Sequence, residues 1–140
     1  MQIRQLHPDD EAAVIELWRR CDLLRAWNDP HLDVEHKLKQ NDGLFLVGVL
    51  EGQIIASVMA GYDGHRGWLY LVGVDPMHQR RGFARQMIVA MERLLRKRGC
   101  RKINLQVRET NQGVIEFYRR VGYSVDPVLS MGKRFPPETY

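Results

Sequence analysis

The stretch LYLVGVDPMHQRRGFARQMI, residues 69–88, changes its hydrophobic period halfway along. Residues 69–74 form an apolar run closed by Asp75-Pro76, which reads as a strand and its exit turn. From Arg81 to Arg98, the residues Ala84, Met87, Ile88, Met91 and Leu95 share one helical face, and Gly99 stops the helix. A strand that hands over to a helix marks a mixed α/β chain.

Upstream, LFLVGVL (44–50) and QIIASVMAGY (53–62) flank Glu51-Gly52 and read as a β-hairpin. Asp63 to Gly67 make a further turn, so three strands follow one another as an antiparallel meander. Residues 2–6 fit a short first strand. Pro8-Asp9-Asp10-Glu11 supply a helix start, and Val14, Leu17, Trp18 and Cys21 follow at helical spacing. The pattern breaks at Asp29-Pro30, and a second helix runs through Val34 and Leu38. Downstream, INLQV (103–107) is a strand. Asn111 caps a helix carrying Val114, Ile115, Tyr118 and Val121, and Gly122 ends it. Residues 123–126 and 128–134 are expected to be closing strands. The expectation is a single domain over residues 1–140, with a largely antiparallel central sheet of six to seven strands and about four helices.

Composition narrows the classes. With 44% hydrophobic and 27% charged residues, the chain is globular rather than disordered, collagenous or disulfide-scaffolded. Cys21 and Cys100 lie far apart without metal-ligand spacing, so reduced thiols and no metal are expected. No apolar run is long enough to cross a bilayer, and MQIRQLHPDDE lacks a signal-peptide core. A cytoplasmic protein without a membrane partner is the expectation. The net charge of +4 suits an anionic partner, but it does not separate nucleic acid from a phosphorylated cofactor.

The turn HQRRGFA (78–84) allows two readings. A helix N-terminus offers unpaired N–H groups and a partial positive charge to an anion. Gly82 and Ala84 would leave that backbone uncovered, Phe83 can turn into the core, and Arg80, Arg81 and Arg85 add attraction. The same residues also suit an ordinary solvated helix start. Neither a Rossmann fingerprint nor a P-loop is present.

Two blocks together carry a resemblance. LYLVGVDPMHQRRGFARQMI, followed by INLQVRETNQGVIEFYRRVGYS (103–124), is similar to the GNAT superfamily of acetyl-CoA-dependent N-acetyltransferases. The first block includes the Gln/Arg-x-x-Gly-x-Gly/Ala pattern at Gln79 to Ala84. The second has Asn111 before its helix and Phe117-Tyr118 ahead of Val121-Gly122-Tyr123. DLLRAWNDP (22–30) and GYDGHRG (61–67) further resemble the small bacterial YpeA-like group.

The resemblance implies a sheet splayed between strands 4 and 5 and acetyl transfer from acetyl-CoA to a primary amine. It assigns the backbone of Val72, Gly73 and Val74 to the pantetheine arm and thioester carbonyl. Gln79, Arg80, Arg81, Gly82, Phe83 and Ala84 would hold the diphosphate, Asn111 would bond the cofactor arm, and Tyr118 would protonate the departing thiolate. Packed-aromatic and helix-cap roles remain open for Tyr118 and Asn111.

A general base is less evident. Ribosomal-protein alanine acetyltransferases place a glutamate in strand 5, whereas the corresponding residue here is Gln106. Glu109 is the nearest acid, though it suits a solvated loop charge better; Asp63 and His65 are weaker candidates, and a water relay or a low-pKa acceptor amine would need none of them. Arg25, Trp27, Asn28 and Asp29, between the first two helices, are candidate acceptor contacts. Turn chemistry and a core role for Trp27 are the alternatives. The acceptor itself would be a small-molecule or peptide amine.

Two other functions compete. Without a strand-5 glutamate the chain could be a catalytically silent acyl-CoA sensor. Arg93, Arg96, Lys97, Arg98, Arg101 and Lys102 could instead serve nucleic acid, although Glu92 interrupts them and stacking aromatics are missing. The closing strands and VLSMGKRF (128–135) offer an edge for a homodimer.

Overall fold

A computed structural model describes residues 1–136 of the chain. In chain order the elements are β1 (Gln2–Gln5), α1 (Glu11–Arg20), α2 (Pro30–Gln40), β2 (Phe45–Leu50), β3 (Gln53–Tyr62), β4 (Gly67–Val74), α3 (Phe83–Lys97), β5 (Ile103–Asn104) and α4 (Gln112–Arg120). Single 3-10 turns, Pro8–Asp10 and Pro76–His78, precede α1 and follow β4. The strands form one sheet in sequence order, antiparallel from β1 to β4 and parallel between β4 and β5.

Local chemistry explains most boundaries. Glu51 and Gly52 take φ of 51° and 76°, the paired left-handed angles of a two-residue hairpin turn. Leu50 pairs with Gln53 across it. Asp29 caps α2 by accepting the amides of His31 and Leu32. Gly99, at φ 90°, follows the end of α3.

Alternation along the strands separates two apolar layers. Phe45 and Val47 of β2 cluster with Val14, Trp18 and Val34, so α1 and α2 cover one face. Leu46 and its neighbour Val58 are buried on the other. There α3 crosses β2, β3 and β4 with Phe83, Met87, Ile88, Met91 and Leu95 buried. Cys21 is half-buried and Cys100 buried, both as free thiols. Among the described residues no helix is long and apolar enough to cross a membrane.

The sheet differs from expectation at its C-terminal side. Among the described residues it has five strands, not six or seven, and the strand expected over INLQV is reduced to Ile103–Asn104. Residues 123–126 and 128–134 form no strand. Residues 128–134, VLSMGKR, lack the alternation of a strand, and Pro127 has no amide to give to a ladder. Val125, Val128, Leu129 and Met131 are exposed accordingly. The chain divides into two compact units, Met1–Gln106, which holds the sheet and α1 to α3, and a second from Val107 that holds α4.

Candidate functional site

The first feature of the site is a bulge in β4. Met59 pairs with Tyr70 and Ser57 with Gly73, so Leu71 and Val72 both stand opposite Val58 alone. Leu71 takes φ 51°, a left-handed angle that a branched side chain adopts only under constraint. The constraint is visible. The Ser57 hydroxyl donates to the Leu71 carbonyl at 2.8 Å, and the Trp18 indole N–H donates to that hydroxyl at 3.0 Å. Both side chains are fully buried. On its other side β4 pairs with β5 only at Gly67 and Trp68, so Leu69 to Val74 carry no β5 ladder. The splay was expected here; Val72 and Gly73 are part-exposed, whereas Val74 is 7% exposed.

The strand then exits through a braced turn. The Val74 carbonyl accepts the Gln79 side-chain amide at 3.2 Å and the Cys21 thiol at 3.3 Å. Asp75 is 9% exposed. One of its oxygens accepts the Met77 amide at 3.0 Å, and the other accepts Arg20 Nε at 3.0 Å. Arg80 and Gly82 are left-handed, at φ 62° and 80°. The first helical bond of α3 runs from Gln86 N–H to the Gly82 carbonyl, 3.1 Å, so the amides of residues 83–85 precede the ladder. A Cβ built on Gly82 would meet nothing within 4 Å, so this backbone is uncovered. The Arg81 guanidinium lies 4.9 Å above the buried Phe83 ring, which holds positive charge at the turn. These residues fit a phosphate-bearing cofactor: open amides, an unshielded glycine and fixed arginine charge.

Gln79 differs from the expectation in one respect, because its amide already holds the turn closed. Phe83 turns into the core as expected, and Ala84 is half-buried beside it.

In the second unit, Asn111 caps α4 by accepting the Val114 amide at 3.3 Å. Tyr118 packs edge-on against Phe117 and Tyr123, with ring centroids 5.3 and 5.7 Å away. Burial pushes its phenol up to about 12, so it stays protonated at neutral pH. Glu109 is exposed, and its backbone carbonyl accepts the Gln112 side chain.

Between α1 and α2, the Arg25 guanidinium folds back onto the carbonyls of Asp22 and Leu24, both at 2.8 Å. Trp27 is 52% exposed and so is not core. Asn28 is also exposed, with its amide donated to the Arg25 carbonyl. Asp63 accepts the amides of Arg66 and His65, which hold its carboxyl below the usual range and make it a poorer base. An open depression beside it is lined by Asp42, Tyr62, Trp68 and Tyr70.

Sequence reasoning missed Ser57, Trp18, Arg20 and Asp75. Ser57 left a signal as the one hydroxyl inside IIASVMA, and Asp75 as part of the Asp75-Pro76 exit turn.

A bulged, splayed β4 leading into α3 through an uncovered basic turn places the chain among acyl-transferring α/β folds. The Acetyltransferase (GNAT) family model matches residues 12–123, and the chain belongs to that family. It is 50% identical over 134 residues to an acetyltransferase of Pectobacterium atrosepticum, covering 96% of this chain and 95% of that one. An aminoglycoside acetyltransferase from an uncultured soil metagenomic sample, solved with trehalose, superposes with a TM-score of 0.76 at 20% identity, covering 96% of each chain. AAC(6')-Iy, solved with the bisubstrate analog CoA-S-monomethyl-acetylneamine, gives a TM-score of 0.73 at 24% identity, covering 96% of this chain and 98% of that one. The protein is therefore an acyltransferase enzyme of a family that uses acetyl-CoA.

Proposed function

We propose that the chain transfers an acetyl group from acetyl-CoA to a primary amine by direct attack in a ternary complex, with its two units working as one domain in the cytoplasm. The observation that carries this reading is the uncovered turn at Gly82 behind the splayed half of β4. Residues Gln79 to Ala84 hold the diphosphate. The amides ahead of the α3 ladder bind its oxygens, and Arg80, Arg81 and Arg85 supply charge. The backbone of Val72, Gly73 and Val74 bonds the pantetheine arm, and an amide there faces the thioester oxygen as it gains charge. Asn111 bonds the arm from the cap of α4.

The amine lone pair forms the C–N bond as the C–S bond breaks. Tyr118, kept protonated by burial, gives its proton to the departing sulfur. Glu109 is the candidate acceptor of the ammonium proton, directly or through water. Trp27 and Asn28 wall the acceptor. Arg25, engaged with its own loop carbonyls, shapes that wall rather than reaching out from it.

The test is thiol release from acetyl-CoA over a panel of polyamines, amino acids, aminoglycosides and peptide N-termini, with thermal shifts for coenzyme A and an oligonucleotide. Release with at least one amine, and stabilisation by coenzyme A, are expected. Stabilisation by the oligonucleotide alone would overturn the reading. Cofactor binding without turnover of any amine would replace it with an acyl-CoA sensor.

A further inference from the structure

We propose that Arg20 and Asp75 are positioning residues that fasten the end of α1 to the start of the cofactor turn and so set affinity for the phosphate-bearing half of coenzyme A. This rests on reading Gln79 to Ala84 as the diphosphate turn.

Asp75 is nearly buried, and a buried carboxylate is stable only when its oxygens are occupied. Its first oxygen holds the Met77 amide and shapes the Pro76–His78 turn. Its second takes both Arg20 Nε, at 3.0 Å, and a terminal Arg20 nitrogen, at 2.9 Å. One carboxylate therefore joins the last residue of α1 to the first residue after β4.

Neighbouring contacts repeat the connection. Cys21 donates to the Val74 carbonyl. A Cβ on Gly73 would stand 3.1 Å from Cys21 Sγ and 3.0 Å from Leu23 Cδ1, so the end of α1 presses directly on β4. Gly73, Val74 and Asp75 are thus gripped in succession by Leu23, Cys21 and Arg20. The same Val74 carbonyl receives Gln79, which closes the turn from the other side.

The turn needs that anchor. After His78 N–H to the Asp75 carbonyl, the next backbone bond outside the regular elements is Gln86 N–H to Gly82. Between them Arg80 sits in a left-handed conformation, φ 62°, that an L-residue adopts only at a cost. A loop with strain and few bonds of its own keeps its shape through its ends. Releasing Asp75 lets Arg80 relax and turns the α3 amides away from a common point. The pantetheine-binding backbone of β4 keeps its ladder to β3 and is spared.

The experiment compares coenzyme A with S-acetylpantetheine, which lacks the diphosphate and nucleotide, on the full chain. Binding is followed by calorimetry and NMR titration, with melting temperature beside it. Asp75→Asn and Arg20→Met are each expected to bind coenzyme A roughly tenfold more weakly, the size of a coupled interaction of about 1.4 kcal/mol. Both are expected to hold S-acetylpantetheine within about twofold of wild type. Arg20→Lys, which keeps charge but loses the paired donors, falls between. Arg19→Met, which removes the exposed Arg19 pair with Glu16 and leaves Glu16 to Arg20, changes neither probe.

Equal weakening toward both probes would reduce the pair to general scaffolding and overturn the proposal. Full retention of the coenzyme A preference in both variants would overturn it and leave the turn's own role intact. A wild-type protein that binds coenzyme A no better than S-acetylpantetheine would remove the diphosphate reading and this proposal with it.

Discussion

Tyr118 shows how burial bears on a single residue. Desolvation is the sole cause acting on its phenol, which it raises from 10.0 to about 12. Below pH 10 the folded and unfolded chains both hold the proton, and the group contributes no pH dependence. As pH climbs from 10 toward 12 the unfolded chain loses the proton first, so stability is lost across that window by up to roughly 2–3 kcal/mol. Tyr118→Phe removes the effect. Denaturant unfolding at pH 7 and pH 11 should show a smaller alkaline loss for the variant than for wild type; equal losses would mean the phenol is not held neutral. The same variant should bind coenzyme A normally while turnover falls on the order of 10²-fold. Asn111 as a cap and Tyr118 as an aromatic at helical spacing are local signals, whereas the roles proposed for them came from the resemblance alone. The pressure on Tyr118 from Phe117 and Tyr123 was not legible, because Tyr123 meets it only after α4 has ended.

The elements divide by how local their causes are. The β2–β3 hairpin was readable from Glu51-Gly52, and α3 from its single apolar face. The β4 bulge was not, because WLYLVGV reads as an unbroken strand and the register shift arises only where Ser57 and Trp18 meet Leu71. The closing strands failed because residues 128–134, VLSMGKR, carry no period-two pattern and Pro127 interrupts the stretch. Ser57→Ala tests the bulge. It strands a buried indole N–H and frees the Leu71 carbonyl, which should cost about 1–3 kcal/mol in equilibrium unfolding. Ser57→Thr keeps the hydroxyl and should recover part of that loss despite the extra methyl. A loss near zero for alanine would mean that the ladder alone holds Leu71 at its positive φ.

For the whole molecule, the turn proposed for the diphosphate was more legible in the sequence than the loops proposed for the acceptor. Diphosphate recognition uses backbone exposed by glycine, which leaves a motif, whereas acceptor recognition depends on loops whose direction is set by tertiary contacts, as with Arg25. The excess positive charge is ambiguous until it is located. Arg93, Arg96, Lys97, Arg98, Arg101 and Lys102 are all exposed toward the far end of α3. At 1.5 Å per residue, Arg93 and Arg96 lie roughly 15 and 20 Å along the axis from Phe83. That exceeds a screening length of about 8 Å at physiological salt. Reversing both charges, Arg93→Glu with Arg96→Glu, should therefore leave coenzyme A affinity within about twofold at 150 mM salt. At 10 mM salt, where screening extends to about 30 Å, a larger loss should emerge. A large loss at 150 mM would place a phosphate of the cofactor on this strip, moving the anion site from the turn at Gly82 to the other end of the helix.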